Sequence, residues 1–518
     1  MTRSTFSSRP PAIGLIALFT CVGLASLAAS QELRVGVQSH VRALDVQAET
    51  SNAGAQFLHN IYDTLLEIDT TAQQLKFKPG LAVSWQRVAG DTLEIKLRPN
   101  VKFHDGSVMT ADDVAFSLNR VFKIALPAFR SSNGRFFYNF DRAEAVDAST
   151  VRVVAKKPDP LMEILLAARN AGVTSKAHVE HVGFDQSGLA PIGTGPYRVA
   201  SFKPNQEVIL ERFDDFWGEK APLQRIRYVR IPEMAPRITA LVNGDVDFIV
   251  QIPPDQEHLL RNRPNIKLVG TAWPMFHVYV LNMSVPPLDN PKIRRALNLA
   301  IDRDALVKAL WDGKAVVPKS HQFPGTASEI PGVNLIRFDP AEAQKLLREA
   351  GYSGAPITLN FQQHYYTYGN LAAQAVADMW KDVGINVKLQ VIEGFGQDPK
   401  TLMTRDWSNP LYYPDLLGAF DTHWTKSSWV SRDKFFLPEL APEWEKLYSV
   451  IRFSLDPNER RAAHKRLLEV GETELVPWVL LYQPYESFAM NDRVTWSIPH
   501  NVRPYVLSFR AGEISVRK

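Results

Sequence analysis

The sequence predicts an α/β protein of about three domains, and three observations carry that expectation. The chain is 518 residues long, against a usual domain size of roughly 150. Strand-like and helix-like patterns interleave along most of it, which favours α/β units over a bundle or an all-β sandwich. It shows no internal repeat of fixed period. Hydrophobic residues make up 45% and charged residues 22%, the balance of a globular protein, so disorder is excluded as the main state. Lys and Arg number 59 against 55 Asp and Glu, a formal charge of +4, with no basic run that would track a phosphate backbone. Nucleic acid is therefore not an expected partner.

The N-terminus reads as a targeting signal. Arg3 and Arg9 precede an apolar run from Ala12 to about Leu24, followed by the small residues Ala25, Ser26, Ala28, Ala29 and Ser30. That order predicts a secretory signal peptide over residues 1–30, cut before Gln31; the alternative is an uncleaved anchor. Cleavage would remove Cys21, the only cysteine. The mature chain would then carry no disulfide, thiolate metal site or cysteine nucleophile.

Beyond the signal, Leu33-Arg34-Val35-Gly36-Val37 alternates as a strand does, and Gln56 to Leu66 has helical spacing that would bury Phe57, Ile61 and Leu65. Leu81 to Leu97 reads as strands, clearest where Leu93, Ile95 and Leu97 alternate with polar residues. Thr110-Ala111-Asp112-Asp113 resembles a capping box, with Val114, Leu118, Val121 and Phe122 on one helical face. Asn290-Pro291, Asp339-Pro340 and Asp456-Pro457 each place a capping side chain before a first-turn proline, and so predict three further helix starts. Gly313 and Gly351 are expected to end helices. Ile357 to Phe361, about Asn370 to Asp382 and Val387 to Val391 predict strand, helix and strand. A helix from about Ala235 to Val242 and a strand from Val246 to Val250 form a comparable unit.

An exported enzyme would need a catalytic constellation. The sequence has no Gly-x-Ser-x-Gly elbow, no His-Glu-x-x-His helix and no phosphate loop ending Gly-Lys-Ser/Thr. Ser431-Arg432-Asp433-Lys434 fits Ser-x-x-Lys without the Lys-Thr-Gly that should accompany it. His178 and His181 are spaced for one metal but lack a nearby third ligand. The expectation is a non-enzyme without a cofactor or resident metal. An exported hydrolase on a two-lobe scaffold is the alternative.

Several segments then carry a family resemblance. Pro191-Ile192-Gly193-Thr194-Gly195-Pro196-Tyr197 follows, in order, Leu93 to Arg98, Phe103-His104-Asp105-Gly106 and Thr110 to Val114. It precedes Arg294 to Arg303, Asp339 to Ala343 and Gly384-Ile385-Asn386-Val387. In this order they resemble the family 5 extracellular solute-binding proteins of ABC importers, which serve dipeptides, oligopeptides, nickel chelates and related solutes. The resemblance covers nearly the whole mature chain. It implies a two-lobe periplasmic binding protein fold of type II with an extra domain, three in all. Residues 31–76, 197–285 and 477–518 would form lobe I, residues 77–196 domain II and residues 286–476 domain III, the second lobe. It also implies a periplasmic monomer that encloses a small solute, a peptide or amino-acid-derived compound, by hinge closure and delivers it to an inner-membrane ABC permease. Nickel chelate or haem is the alternative ligand class.

By the same resemblance, an aspartate of the third domain would hold the α-amino group of a peptide. The matching stretch is Asp406-Trp407-Ser408-Asn409-Pro410-Leu411-Tyr412-Tyr413-Pro414-Asp415, which departs from the peptide binders in having Ser408-Asn409-Pro410 where they place that aspartate. Asp415, or secondarily Asp406, is expected to offer a carboxylate to a cationic ligand group; the alternative is that Asp415 caps a following turn. Trp407, Tyr412, Tyr413 and Trp424 are expected stacking walls, as is the segment from Trp273 to His277, in which His277 is read as structural. His364-Tyr365-Tyr366-Thr367-Tyr368 follows a strand, where α/β sheets place ligand loops, so at least one of these rings should face a cleft or solvent. His423 beside Trp424 would assist a nickel or haem ligand.

Overall fold

The computed structural model describes residues 1–2, 32–49, 51–69, 75–122, 136–363, 365–392, 402–426, 428–499 and 506–517. The expected signal peptide beyond residue 2, and His364, lie outside the described residues.

Alternation at the first strand, Glu32–Val37, places Leu33, Val35 and Val37 in a core. This strand pairs in parallel with Arg225–Arg230 and Phe248–Ile252 at the centre of a seven-stranded sheet. The outer strands Glu207–Arg212, Tyr197–Lys203, Tyr485–Asn491 and Ile266–Ala272 are antiparallel to their neighbours. Sequence segments more than 200 residues apart thus share one sheet.

The first helix runs Asn52–Ile61, not Gln56 to Leu66 as its apolar spacing predicted. Ser51 caps it by accepting from the Gly54 amide, and Tyr62 is already extended, so Leu65 and Leu66 lead instead into a short strand, Leu66–Ile68. Apolar spacing cannot register where a cap starts or stops the hydrogen-bond ladder. Elsewhere the punctuation works. The Asp113 amide donates to Thr110 Oγ1 at 3.4 Å and the Thr110 amide to Asp113 Oδ2 at 2.9 Å, opening the helix Ala111–Phe122. Asn290, Asp339 and Asp456 cap helices with proline in the first turn. Asp312 turns left-handed before Gly313, ending the helix Arg303–Trp311 one residue early.

A four-stranded antiparallel sheet, in the order Ala82–Ala89, Thr92–Leu97, Thr150–Ala155 and Phe140–Asp147, packs against Ala111–Phe122 around a second core. Its docking to the first sheet explains two motifs at once. The His104 amide donates to the Gly193 carbonyl at 3.0 Å and the Gly195 amide to the Ile61 carbonyl at 2.9 Å, while Thr194 Oγ1 donates to Asp63 Oδ2 at 2.9 Å. Burial lowers the His104 imidazole to about 4, leaving a neutral ring whose Nε2 sits 3.0 Å from the Gly195 carbonyl.

The third region is built on a ribbon in which Met275–Leu281 pairs antiparallel with Thr404–Pro410 and Trp478–Tyr482. All seven residues of Met275–Leu281 are buried. Phe276, Val278 and Val280 enter one core, and Tyr279 and Leu281 enter another on the opposite face. At roughly 1.5–3 kcal/mol per large apolar side chain, this strand anchors both layers. Ile357–Gln362 and Val387–Ile392 form the parallel pair that the strand, helix, strand pattern predicted. Ile357–Gln362 meets the ribbon through side chains, the Asn360 amide donating to Thr404 Oγ1 at 2.7 Å and the Gln362 amide to Asp406 Oδ2 at 2.9 Å.

Candidate functional site

A cleft of about 340 Å³ opens where the three regions meet. The first contributes His59, Thr64, Glu67 and Arg510; the second contributes Ile164, Ala167 and Arg169; the third contributes Tyr412, Tyr413 and Pro414; Phe216 and Trp217 complete the wall. The size is at the lower end of sites that enclose small molecules.

The polar floor is organised around Arg510. Its guanidinium donates to the His59 carbonyl at 2.6 Å and the Tyr62 carbonyl at 3.0 Å, and lies 2.8 Å from Asp63 Oδ1. Asp63 also accepts from Trp217 Nε1 at 2.8 Å, which fixes that ring on the wall. Burial pushes the Glu67 carboxyl up. Burial, reinforced by the Arg510 charge, lowers His59 to about 4, so the imidazole beside the cleft is neutral. Charged groups at the bottom thus neutralise one another, and aromatic and aliphatic side chains form the walls.

Tyr412 and Tyr413, two of the expected walls, do line this cleft. Tyr413 packs edge-on to Phe136 at 5.7 Å and donates its hydroxyl to Asp421 Oδ2 at 2.5 Å. Tyr412 stacks on His423 at 5.9 Å. His423 in turn accepts from Trp407 Nε1 at 2.7 Å, and the Arg405 guanidinium lies 4.7 Å from the rings of both Trp407 and Trp429. Trp407 and His423 therefore stand behind Tyr412 as its support. His423 spends one ring nitrogen on an indole N–H, which is not the arrangement of a ligand to nickel or haem. No group of three or more metal-binding side chains occurs among the described residues.

Two expected walls are core side chains instead. Trp424 is 1% exposed and donates Nε1 to Asn409 Oδ1 at 2.8 Å, inside the third region's core. Trp273 is 2% exposed and packs edge-on to Phe488 in the core of the first sheet. An indole offers the same large apolar surface to a core as to a ligand, so sequence alone could not separate the two. Asp415 is also buried, its carboxylate accepting from Arg460 Nη2 at 2.7 Å and the Leu417 amide at 3.0 Å. That carboxylate is neutralised within its own turn, as the capping alternative requires, and it offers no open charge to a solute.

The loop after Ile357–Gln362 behaves as its crowding of rings implied. Tyr365 is exposed, Tyr366 packs on His277 at 4.7 Å, and Tyr368 donates to Asp255 Oδ1 at 2.5 Å. Asp406 is buried on the ribbon, and burial pushes its carboxyl up to about 6. The cleft residues that sequence reasoning missed, Trp217, Glu67, Arg169 and Arg510, carry no local signal, because each joins the site only through folding.

The sequence profile of the bacterial extracellular solute-binding proteins, family 5 (middle), matches residues 76–429. A glutathione-binding protein, GsiB, of Escherichia coli O1:K1 is 30% identical over 385 residues, 73% of each chain. Among solved structures, the periplasmic binding protein DppA of Helicobacter pylori, in complex with the peptide STSA, superposes with a TM-score of 0.82 at 22% identity, over 94% of this chain and 98% of that one. A dipeptide-binding protein of Pseudoalteromonas in complex with Met-Leu gives 0.81 at 22% identity, over 94% and 100%. The fold is that of the type II periplasmic binding proteins, and with the profile spanning most of the chain, this protein belongs to the family 5 bacterial extracellular solute-binding proteins.

Proposed function

We propose that this solute-binding protein captures a small solute, a peptide or an amino-acid-derived compound, and hands it to an inner-membrane ABC permease from the periplasm, performing no covalent chemistry. In this reading a cleaved signal peptide exports the chain, and the mature protein works as a monomer. Lobe I comprises 31–76, 197–285 and 477–518, domain II 77–196 and domain III 286–476.

The observation that supports the reading is the cleft where three separately cored regions meet, with Tyr412 and Tyr413 facing Trp217 and Ile164 across it. A solute touching both sides would stabilise the arrangement that encloses it more than any open one. The 30% identical glutathione-binding relative makes a γ-glutamyl peptide a first compound to test.

The test is a thermal-shift screen of the mature protein against glutathione, dipeptides, longer peptides, opine-like conjugates, nickel chelates and haem, with product analysis of every hit. A solute at a hundred times its Kd should add about 2.7 kcal/mol of stability. A shift with the compound recovered unchanged supports the proposal. Turnover would overturn the non-enzymatic reading, and a flat panel would overturn the solute class.

A further inference from the structure

We propose that the face of the ribbon bearing His277, Tyr279 and Asp406 is a binding site for a primary ammonium group. Tyr279 and Asp406 are directly paired across the two strands, and His277 lies two residues along from Tyr279, so all three side chains share one face. Trp407, next to Asp406, points to the other face with His423. The site also stands at the opposite end of Thr404–Pro410 from Tyr412, so it is a separate place from the cleft.

Its polar atoms lack partners. Tyr279, Asp406 and His277 are 0%, 1% and 3% exposed. Asp406 Oδ1, the Tyr279 hydroxyl, His277 Nε2 and the neighbouring Gln362 Oε1 make no hydrogen bond. Buried polar atoms are paired in the great majority of cases, and each orphan costs free energy, so four in one place mark room for a ligand. The remaining atoms of the same groups are already committed. Asp406 Oδ2 accepts from the Gln362 amide at 2.9 Å, and His277 Nδ1 lies 3.1 Å from the Tyr482 hydroxyl. With Nδ1–H donated there, Nε2 carries a lone pair.

The chemistry selects the occupant. A carboxylate oxygen, a phenol oxygen and an imidazole lone pair are three acceptors for the three N–H bonds of an ammonium, and the carboxylate supplies the balancing charge. A quaternary ammonium has no N–H to give, and water would leave the charge unbalanced. The nearest cation in sequence, Arg405, is held between Trp407 and Trp429. Tyr366 covers His277, and the exposed Tyr365 packs edge-on to Tyr366 at 4.7 Å, at the side from which a solute would enter.

The inference rests on the solute-binding reading. It is tested by titrating the mature protein and its Asp406→Asn and Tyr279→Phe variants with L-lysine, putrescine and dialanine, each beside its N-acetylated form. The expected result is binding of at least one free amine. N-acetylation and Asp406→Asn should each weaken that binding about tenfold or more, and Tyr279→Phe should weaken it less. Binding to the unmodified protein should also weaken below about pH 6 as Asp406 takes up a proton. Of the groups facing it, Arg405, Tyr279 and Tyr365 do not change charge there, and burial holds His277 at about 3. This pH arm and Tyr279→Phe decide the matter if Asp406→Asn fails to fold. Equal affinity for free and acetylated forms, or undiminished affinity in Asp406→Asn, overturns the site while leaving solute capture standing. No binding of any amine, with Asp406→Asn merely stabilising the protein, means a buried water only and overturns it as well. If the wider solute panel is also flat, both readings fall.

Discussion

Replacing Arg452 by Met should destabilise the protein by about 3–5 kcal/mol. Arg452, on the helix Glu443–Phe453, and Asp159, in the loop after the strand Thr150–Ala155, are both fully buried and form a two-pronged ion pair, with Nη2 to Oδ2 at 2.7 Å. The pair joins the core of the second region to that of the third. Removing the guanidinium leaves a carboxylate out of water with only the Asn139 side chain at 2.9 Å and the Leu161 amide at 2.8 Å to hold it. Breaking one partner of a buried pair typically costs about 3–5 kcal/mol. The two remaining donors place Arg452→Met toward the lower figure. Asp159→Leu should lie toward the upper, because it strands a cation whose other support is the Tyr138 ring 5.2 Å away. The double variant should recover part of the loss, since no uncompensated charge remains. Urea denaturation followed by tryptophan fluorescence measures all three. Single variants within about 0.5 kcal/mol of the unmodified protein, or a double variant that simply adds the two losses, would refute the claim that this buried pair couples the two regions.

Other expectations follow from the same geometry. Asp415→Asn should cost roughly 1–3 kcal/mol by weakening the Arg460 contact and the Leu417 cap, yet leave solute affinity unchanged by calorimetry; a large affinity loss with intact folding would restore Asp415 as a ligand group. Stability should fall with rising pH at Asp406. Its folded carboxyl is raised to about 6, so its contribution is full below the ordinary carboxylate range and is lost as pH rises through 6. At about 1.4 kcal/mol per unit over some two units, that is roughly 3 kcal/mol, and urea midpoints at pH 4.5 and 7.5 should converge in Asp406→Asn relative to the unmodified protein. Gly195→Ala should destabilise by about 1–3 kcal/mol, because a Cβ there would stand 2.5 Å from the Ile61 carbonyl carbon and 2.6 Å from its oxygen, and backbone atoms cannot swing aside. An unchanged melting midpoint would contradict that close approach.

The sequence determined by itself what short-range physics decides. Alternation at Leu33 to Val37 and at Leu93 to Leu97 gave strands with the buried faces expected, and Asn290, Asp339 and Asp456 gave helix starts to the residue, because a cap or a pleat is settled within a few residues. Motif order across the chain carried the family. Only the tertiary structure decided the rest. Whether an indole lines a cleft or fills a core depends on what lies opposite, so Tyr412 faces the cleft while Trp424, twelve residues on, is enclosed. Whether a carboxylate is free depends on distant partners: Arg460 takes up Asp415, while Asp406 keeps one oxygen unpaired beside Tyr279, more than a hundred residues away in sequence. Charge and burial at a site are sums over neighbours that folding brings together from far along the chain, and no local pattern encodes them.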